Sequence, residues 1–153
     1  VFGGRKALQL KIAVVADGCG GCPYHQFPYE AKPPIQIDGE YKTIKFNSIE
    51  DVWNVVDLLL QEIRDMDSGF DEDKSLIAQL PFFTCVNHFY TDEISKDLER
   101  YSYCNNTGVV PYKGSYGNQP ASWVKKYFAI KNAYAIKESM MIDKQKAKAK
   151  VGK

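Results

Sequence analysis

The chain has 153 residues and a mass of 17.4 kDa, with 44% hydrophobic and 25% charged residues, which is the size and composition of one compact domain. A disordered tail and a two-domain enzyme are excluded. No apolar run approaches the roughly 18 residues that a membrane-spanning helix requires. The apolar stretch Ala7–Ala16 is interrupted by Gln9 and Lys11, so it does not resemble a signal peptide. We therefore expect an intracellular protein that is not secreted by a signal peptide.

The net charge of +1 hides a strong asymmetry along the chain. Residues 120–153 hold nine lysines against Glu138 and Asp143, a net charge of +7, so the remaining residues carry a net charge of −6. The acidic residues are concentrated between Glu50 and Asp73, a segment with nine Asp and Glu residues and one basic residue, Arg64. Charge runs of this size are typical of solvated helix faces and solubilising tails.

The first part of the chain carries two β signals. Leu8–Ala16 alternates at first and is then continuously apolar, which predicts a strand. Asp38-Gly39 lies between the alternating runs Ile35–Ile37 and Glu40–Phe46. Because both central residues of a two-residue hairpin turn need positive φ, this pair predicts a β-hairpin.

Helical signals dominate the rest of the chain. Apolar residues recur at spacings of three and four from Ile49 to Ile63, so a helix capped by Asn47 or Ser48 should end near Asp67 to Gly69. Three more helices are predicted. The first covers Asp71–Leu80 and is stopped by Pro81, and the second is capped by Thr91 or Asp92 and places Ile94, Leu98 and Tyr101 on one face. The third runs from Pro120 to about residue 142, and its apolar stripe contains Trp123, Tyr127, Ile130, Tyr134 and Met141.

These elements predict an α+β fold, in which an N-terminal strand and hairpin pack on a helical body with a long C-terminal helix. The single domain should cover residues 1–143. After Ile142 lysines alternate with small residues, so residues 144–153 are predicted to form a solvated basic extension.

The spacing of the cysteines and histidines indicates a metal site. Cys19 and Cys22 form a Cys-x-x-Cys pair, and Cys85 and His88 form a Cys-x-x-His pair. Two ligands separated by two residues can hold one ion from a single tight turn, and thiolates with one imidazole favour zinc. We predict a closed, structural zinc site that stabilises the fold by joining these two segments of the chain.

Other ligand sets remain open. His25 and Cys104 are the substitutes if one of the four ligands is wrong, and Cys104 in place of His88 would give a site of four thiolates. Without a metal, Cys85 and Cys104 would be buried small hydrophobic residues.

A thiol-disulfide redox protein using Cys19 and Cys22 is a further alternative, because a strand leading into Cys-x-x-Cys is the arrangement of thioredoxin-like enzymes. Pro23 and Pro28 make a poor helix start after the pair, and no βαβ unit surrounds it. No phosphate loop or nucleophile elbow is present, so we expect no enzyme.

A nucleic-acid-binding zinc protein is the other alternative. The Lys-rich C-terminus, together with Arg5 and Lys6, can neutralise phosphates in a salt-dependent manner. The C-terminus lacks arginine and interleaved aromatic residues, however, and the acidic segment 50–73 would repel a phosphate backbone.

The segment Pro111–Trp123 is rich in glycine, tyrosine and proline and predicts an ordered loop. Its arrangement, Pro-Tyr-x-Gly followed by Gln-Pro-x-x-Trp and an amphipathic helix, resembles the C-terminal part of small bacteriophage proteins encoded among virion and tail genes. The resemblance covers about residues 98–137. It implies a structural or assembly role among other phage proteins, in the host cytoplasm or the virion, and no reaction.

The residues of this loop carry their own prediction. Gly114 and Gly117 permit positive φ, while Tyr112, Tyr116 and Trp123 offer large amphipathic surfaces. These three aromatic residues either close the core or form a partner-binding patch. We therefore predict a structural or assembly-related protein-interaction module with a zinc site.

Overall fold

The computed structural model describes residues 4–67, 69 and 71–152. Over these residues the chain is mostly helical, with a two-stranded antiparallel sheet and a long C-terminal helix. The helices are α1 (Arg5–Val15), α2 (Ile49–Met66), α3 (Glu72–Gln79), α4 (Asp92–Thr107) and α5 (Ala121–Val151); the strands are β1 (Tyr29–Ala31) and β2 (Ile44–Phe46); short 3₁₀ helices cover Leu80–Phe82, Val86–Phe89 and Tyr116–Asn118.

The described residues form two compact units. The helical unit contains residues 4–16 and 90–152, and the cysteine unit contains residues 17–89 with the gaps given above. The single domain over residues 1–143 stays a prediction.

The two units carry opposite net charges. By sequence, residues 1–16 and 90–153 contain fifteen Lys and Arg against six Asp and Glu, a net charge of +9. Residues 17–89 contain five Lys and Arg against thirteen Asp and Glu, a net charge of −8. The asymmetry seen along the sequence is therefore an asymmetry between units.

The predicted N-terminal strand is wrong, because Arg5–Val15 is helix α1. Leu10, Ile12, Val14 and Val15 are all buried, and α1 packs against α4 and α5 of the helical unit. A continuously apolar run fits a buried strand and a buried helix equally well, so periodicity could not separate them. The strong helix formers Lys, Ala, Leu and Gln at the start of α1 favour the helix.

The hairpin prediction is confirmed at its turn and wrong in its strand pairing. Asp38 and Gly39 have φ of 54° and 84°, and Ile37 and Glu40 form an antiparallel bridge across them. Strand β2 pairs with β1 instead of with residues 35–37, in a register that sets Tyr29 opposite Phe46. The sheet therefore connects the segment that follows the Cys-x-x-Cys pair to the segment that enters α2.

Helix α2 is the predicted amphipathic helix, and its buried face forms much of the core of the cysteine unit. Ser48 and Asp51 form a capping box at its start, and Asp67 ends it with a φ of 42°. Three phenylalanines, Phe46, Phe83 and Phe89, are fully buried in the same unit. Helix α3 also follows its prediction, since the Asp71 side chain accepts a hydrogen bond from the backbone N–H of Lys74.

In the helical unit, the predicted α4 is confirmed and α5 is longer than predicted. Thr91 caps α4, whose Ile94, Leu98 and Tyr101 are buried. Helix α5 continues through the basic segment to Val151, and every described residue from 141 onward is exposed. The extension is solvated as predicted, but residues 144–151 are helical; Lys153 lies outside the described residues.

Candidate functional site

Two segments of the cysteine unit bring thiols and an imidazole together. Residues 17–28 contain no helix or strand and carry Cys19, Cys22 and His25. Cys85 lies directly before the Val86–Phe89 turn. Strand β1 follows the first segment, and the hydroxyl of Tyr29 donates a 2.9 Å hydrogen bond to the carbonyl oxygen of Phe83. This bond fixes the two segments beside each other.

The donor atoms of Cys19, Cys22, His25 and Cys85 all lie within 4.8 Å of one another. The sulfurs of Cys19 and Cys22 are 3.3 Å apart. Nδ1 of His25 is 3.7 Å from Sγ of Cys19 and 3.5 Å from Sγ of Cys85. These four side chains could hold a metal ion.

The donor atoms of this group suit a soft metal ion with tetrahedral coordination. A tetrahedral ion with bonds of about 2.3 Å to sulfur and about 2.0 Å to nitrogen sets neighbouring donor atoms about 3.5–3.8 Å apart. The two sulfur–nitrogen contacts of 3.5 and 3.7 Å match this spacing, whereas the Cys19 and Cys22 sulfurs, at 3.3 Å, are closer than the roughly 3.8 Å between two sulfurs on one ion. Three soft sulfurs and one imidazole exclude magnesium and calcium, which prefer oxygen.

The backbone of the turn prepares the first thiol for metal binding. The N–H of Cys22 donates a hydrogen bond of 3.3 Å to Sγ of Cys19. This bond is the main cause that lowers the pKa of Cys19 from 9.0 to about 7. A thiolate is the form that ligates a metal, so the turn favours the ligating form of this residue.

Cys85 is in a different environment, because its side chain is buried with 2% of the residue exposed. Burial raises the pKa of this thiol to about 12. Tyr29 is buried as well, and its own burial raises the pKa of its hydroxyl to about 12. In the absence of a cation Cys85 is therefore a neutral thiol at neutral pH, and a bound ion would have to displace its proton.

His88, predicted as the fourth ligand, lies outside the group, and His25 takes its place. Nε2 of His88 is 2.7 Å from the carbonyl oxygen of Tyr24, and its ring packs against Phe27 at a centroid distance of 4.6 Å. Hydrogen bonding to Tyr24, the neighbour of His25, makes His88 a residue that positions the loop. In the sequence, His25 was only a substitute ligand, because no short spacing pairs it with Cys85.

Two alternatives remain for the cysteines: Cys104 as a metal ligand, and Cys19 and Cys22 as a redox pair. Cys104 is buried on α4 in the helical unit and is not a member of the group. The segment that follows Cys19 and Cys22 contains no helix, so no helix N-terminus activates either thiol. The strand that suggested the redox alternative is helix α1 instead, and the alternative itself stays a prediction.

A second candidate site is an apolar groove of about 390 Å³ in the helical unit. Its walls come from the end of α4, the loop after it and the first two turns of α5. The groove is lined by Cys104, Asn105, Gly108, Val109, Val110, Pro111, Tyr116, Gln119, Trp123, Val124, Tyr127 and Phe128. Val109, Val110, Tyr127 and Phe128 were not among the predicted partner-binding residues, because they belong to no motif.

The three predicted partner-binding residues differ in exposure. Tyr116 is 77% exposed, Tyr112 is 39% exposed and Trp123 is only 5% exposed. The guanidinium carbon of Arg100 lies 5.6 Å from the ring centre of Tyr112 and 5.4 Å from that of Trp123. Two cation–π contacts therefore hold Tyr112 and Trp123 in place. Tyr116 remains as the most accessible aromatic ring of the groove.

The loop that carries Tyr116 is irregular and ordered, as predicted. The Gln119 side-chain amide donates to the carbonyl oxygens of Tyr112, Gly114 and Ser115, and its oxygen accepts from the N–H of Tyr112. Gly114 has a φ of 108°, whereas Gly117 does not have the positive φ that glycine would permit. The loop is also held by a capping box between Ser115 and Asn118, whose Oδ1 accepts a hydrogen bond from the N–H of Ser115.

No protein-family model, curated protein or solved structure matches the chain. Among the described residues no helix has both the length and the apolar character needed to span a bilayer.

Proposed function

We propose that this protein is a non-enzymatic protein-interaction module whose cysteine unit is held together by a structural zinc ion. The observation that carries the proposal is the group of Cys19, Cys22, His25 and Cys85. A set of four protein donors completes a tetrahedral coordination sphere, whereas a catalytic zinc site keeps a position open for water or substrate. A closed site contributes to folding and leaves recognition to another surface.

The surface that suits recognition is the apolar groove with Tyr116 at its edge. Its volume of about 390 Å³ falls in the range of ligand-binding clefts, and aromatic residues dominate interaction hot spots. The helical unit that contains the groove has a net charge of +9. Charge complementarity therefore favours a partner segment in which one apolar side chain is flanked by Asp or Glu.

The biological setting of the proposal comes from the resemblance of residues 98–137 to bacteriophage virion and tail-region proteins. On this basis we propose that the partner is another structural or assembly protein of a phage. The groove is consistent with this setting, because assembly requires stable contacts between proteins and no chemistry.

A peptide selection tests the interaction. The whole protein is immobilised and used to select from a random peptide library, and the affinities of enriched peptides are measured for wild type, Tyr116→Ala and Tyr90→Ala. Tyr90 is the matched control, because it is 51% exposed in the helical unit and does not line the groove. We expect enriched peptides with an apolar residue beside acidic residues, and a loss of affinity of about tenfold or more for Tyr116→Ala alone. Equal binding by all three proteins, or peptides without this pattern, would overturn the groove as the docking site.

A further inference from the structure

The C-terminal end of α5 is a solvated helix that carries one type of charge. Lys144, Lys146, Lys148 and Lys150 all lie within the helix and are exposed, and residues 144–152 contain no Asp or Glu. The last fully buried residue of α5 is Ala133. The helix therefore extends well past the part that contributes to the core, so the core does not account for its length.

Helical geometry sorts these lysines into two rows. At about 100° per residue, Lys144 and Lys148 lie close to one line along the helix, and Lys146 and Lys150 lie close to another line about 200° away. The rows are thus on nearly opposite sides. Between them lie Gln145 and Ala149 on one side and Ala147 and Val151 on the other, so two uncharged faces separate the rows.

Like charges four residues apart destabilise a helix, and Lys144–Lys148 and Lys146–Lys150 are two such pairs. A polyanion that contacts both rows would remove this repulsion. Duplex DNA has suitable dimensions, because its major groove is about 12 Å wide and an α-helix with its side chains is about 10–12 Å across. Each lysine row would then face one phosphate backbone, and one of the two uncharged faces would lie over the floor of the groove.

We propose that the helix end 144–151 binds duplex nucleic acid by lying in the major groove, with its two lysine rows on the two phosphate backbones. Binding is independent of base sequence, because lysine–phosphate contacts read no base edges. The acidic residues between Glu50 and Asp73, which would repel a phosphate backbone, belong to the cysteine unit and not to the unit that carries α5.

An anionic membrane is the other polyanion that a basic helix can contact. A helix that lies in a bilayer surface needs a continuous apolar face. Residues 144–151 offer only Ala147, Ala149 and Val151 as apolar side chains. Ala147 and Val151 share one side of the helix and Ala149 lies on another, so no more than two apolar residues share a face. The duplex is therefore the partner that these residues fit.

The test uses the full chain, a fluorescently labelled 24-base-pair duplex of arbitrary sequence, and anisotropy measurements between 50 and 200 mM salt. The tail variant replaces Lys144, Lys146, Lys148 and Lys150 by Gln. The charge control replaces four exposed lysines elsewhere in the helical unit, Lys96, Lys113, Lys125 and Lys131, by Gln. For four phosphate contacts the wild-type slope of log K against log salt should be about −3.6.

We expect the tail variant to lose at least tenfold in affinity with a slope near zero, while the control loses less than about threefold.

A third variant, Ala147→Pro, keeps every charge but breaks the helix. It should lose several-fold in affinity if a helix occupies the groove. Three results would overturn the proposal: equal losses in the tail variant and the control, wild-type affinity in Ala147→Pro, or binding to vesicles of three parts phosphatidylcholine and one part phosphatidylserine without binding to the duplex. This surface differs from the groove, so Tyr116→Ala should bind the duplex like wild type, and failure of either proposal leaves the other testable.

Discussion

Sγ of Cys85 lies 3.5 Å from Nδ1 of His25, although the two residues are 60 positions apart in the chain. The contact joins the loop that precedes β1 to the turn that follows α3. Without an ion, a buried thiol and an exposed imidazole gain little from this contact. When zinc is bound, the side chains of Cys85 and His25 supply two of the four coordination bonds. The binding energy of the ion then becomes part of the folding energy.

Replacing each candidate histidine by alanine should distinguish the residue that binds the metal from the residue that positions the loop. We expect His25→Ala to abolish stoichiometric zinc binding, because it removes the only nitrogen donor in the group. His88→Ala should keep the zinc and lower the melting temperature by a few degrees, since it removes the hydrogen bond to Tyr24. Metal content after gel filtration and a thermal melt measure both effects. Loss of zinc in His88→Ala with retention in His25→Ala would restore the Cys-x-x-His pair as ligands.

The reactivity of Cys19 should depend on the metal. In metal-free protein this thiol has a pKa of about 7, so its thiolate fraction and its rate of alkylation should rise as the pH increases from 6 to 8. Buried Cys85, with a pKa of about 12, should react much more slowly over the same range. Zinc should protect both until a chelator is added, as measured by iodoacetamide labelling and peptide mass spectrometry. Rapid labelling of Cys19 in zinc-loaded protein would contradict ligation.

The ion pair of the helical unit gives a prediction with an adjacent control. Nζ of Lys126 lies 3.1 Å from Oδ2 of Asp97, whose side chain is 5% exposed. Lys126→Met leaves this carboxylate buried without its cation and should lower the free energy of unfolding by about 3 kcal/mol. The neighbouring Lys125 is exposed, so Lys125→Met should change it by less than about 0.5 kcal/mol. Urea unfolding monitored by circular dichroism measures both, and equal effects would show that the pair contributes nothing.

The groove loop should depend on Gly114 and tolerate change at Gly117. A Cβ atom at Gly114 would lie 2.6 Å from Cβ of Asn118, and the φ of 108° is strained for any other residue. Gly114→Ala should therefore destabilise the loop by about 1–3 kcal/mol and weaken peptide binding. A Cβ atom at Gly117 meets nothing within 4 Å, so Gly117→Ala should behave like wild type. If both variants bind selected peptides normally, the loop conformation is not needed for recognition.

The sequence predicted best where a pattern is local. The amphipathic period of α2, the caps Asp71 and Thr91 and the Asp38-Gly39 turn each depend on residues within one or two turns of chain. These features followed from spacing and dihedral preference alone.

The sequence failed where a choice depends on tertiary contacts. Helix α1 is buried on several sides, so its apolar run carried no period that separates helix from strand. The pairing of β2 with β1 skips the adjacent run 35–37. His25 rather than His88 approaches Cys85 because the loop before β1 folds back onto the turn after α3, and no spacing rule reports such a fold-back.

We propose that Cys19, Cys22, His25 and Cys85 together bind one zinc ion. X-ray absorption spectroscopy at the zinc edge tests it most directly, on protein purified without added metal and shown to hold about one zinc per chain. We expect three sulfur neighbours at about 2.3 Å and one nitrogen neighbour at about 2.0 Å, with the nitrogen lost in His25→Ala. Metal-free protein of unchanged stability, or a shell of four sulfurs, would contradict it.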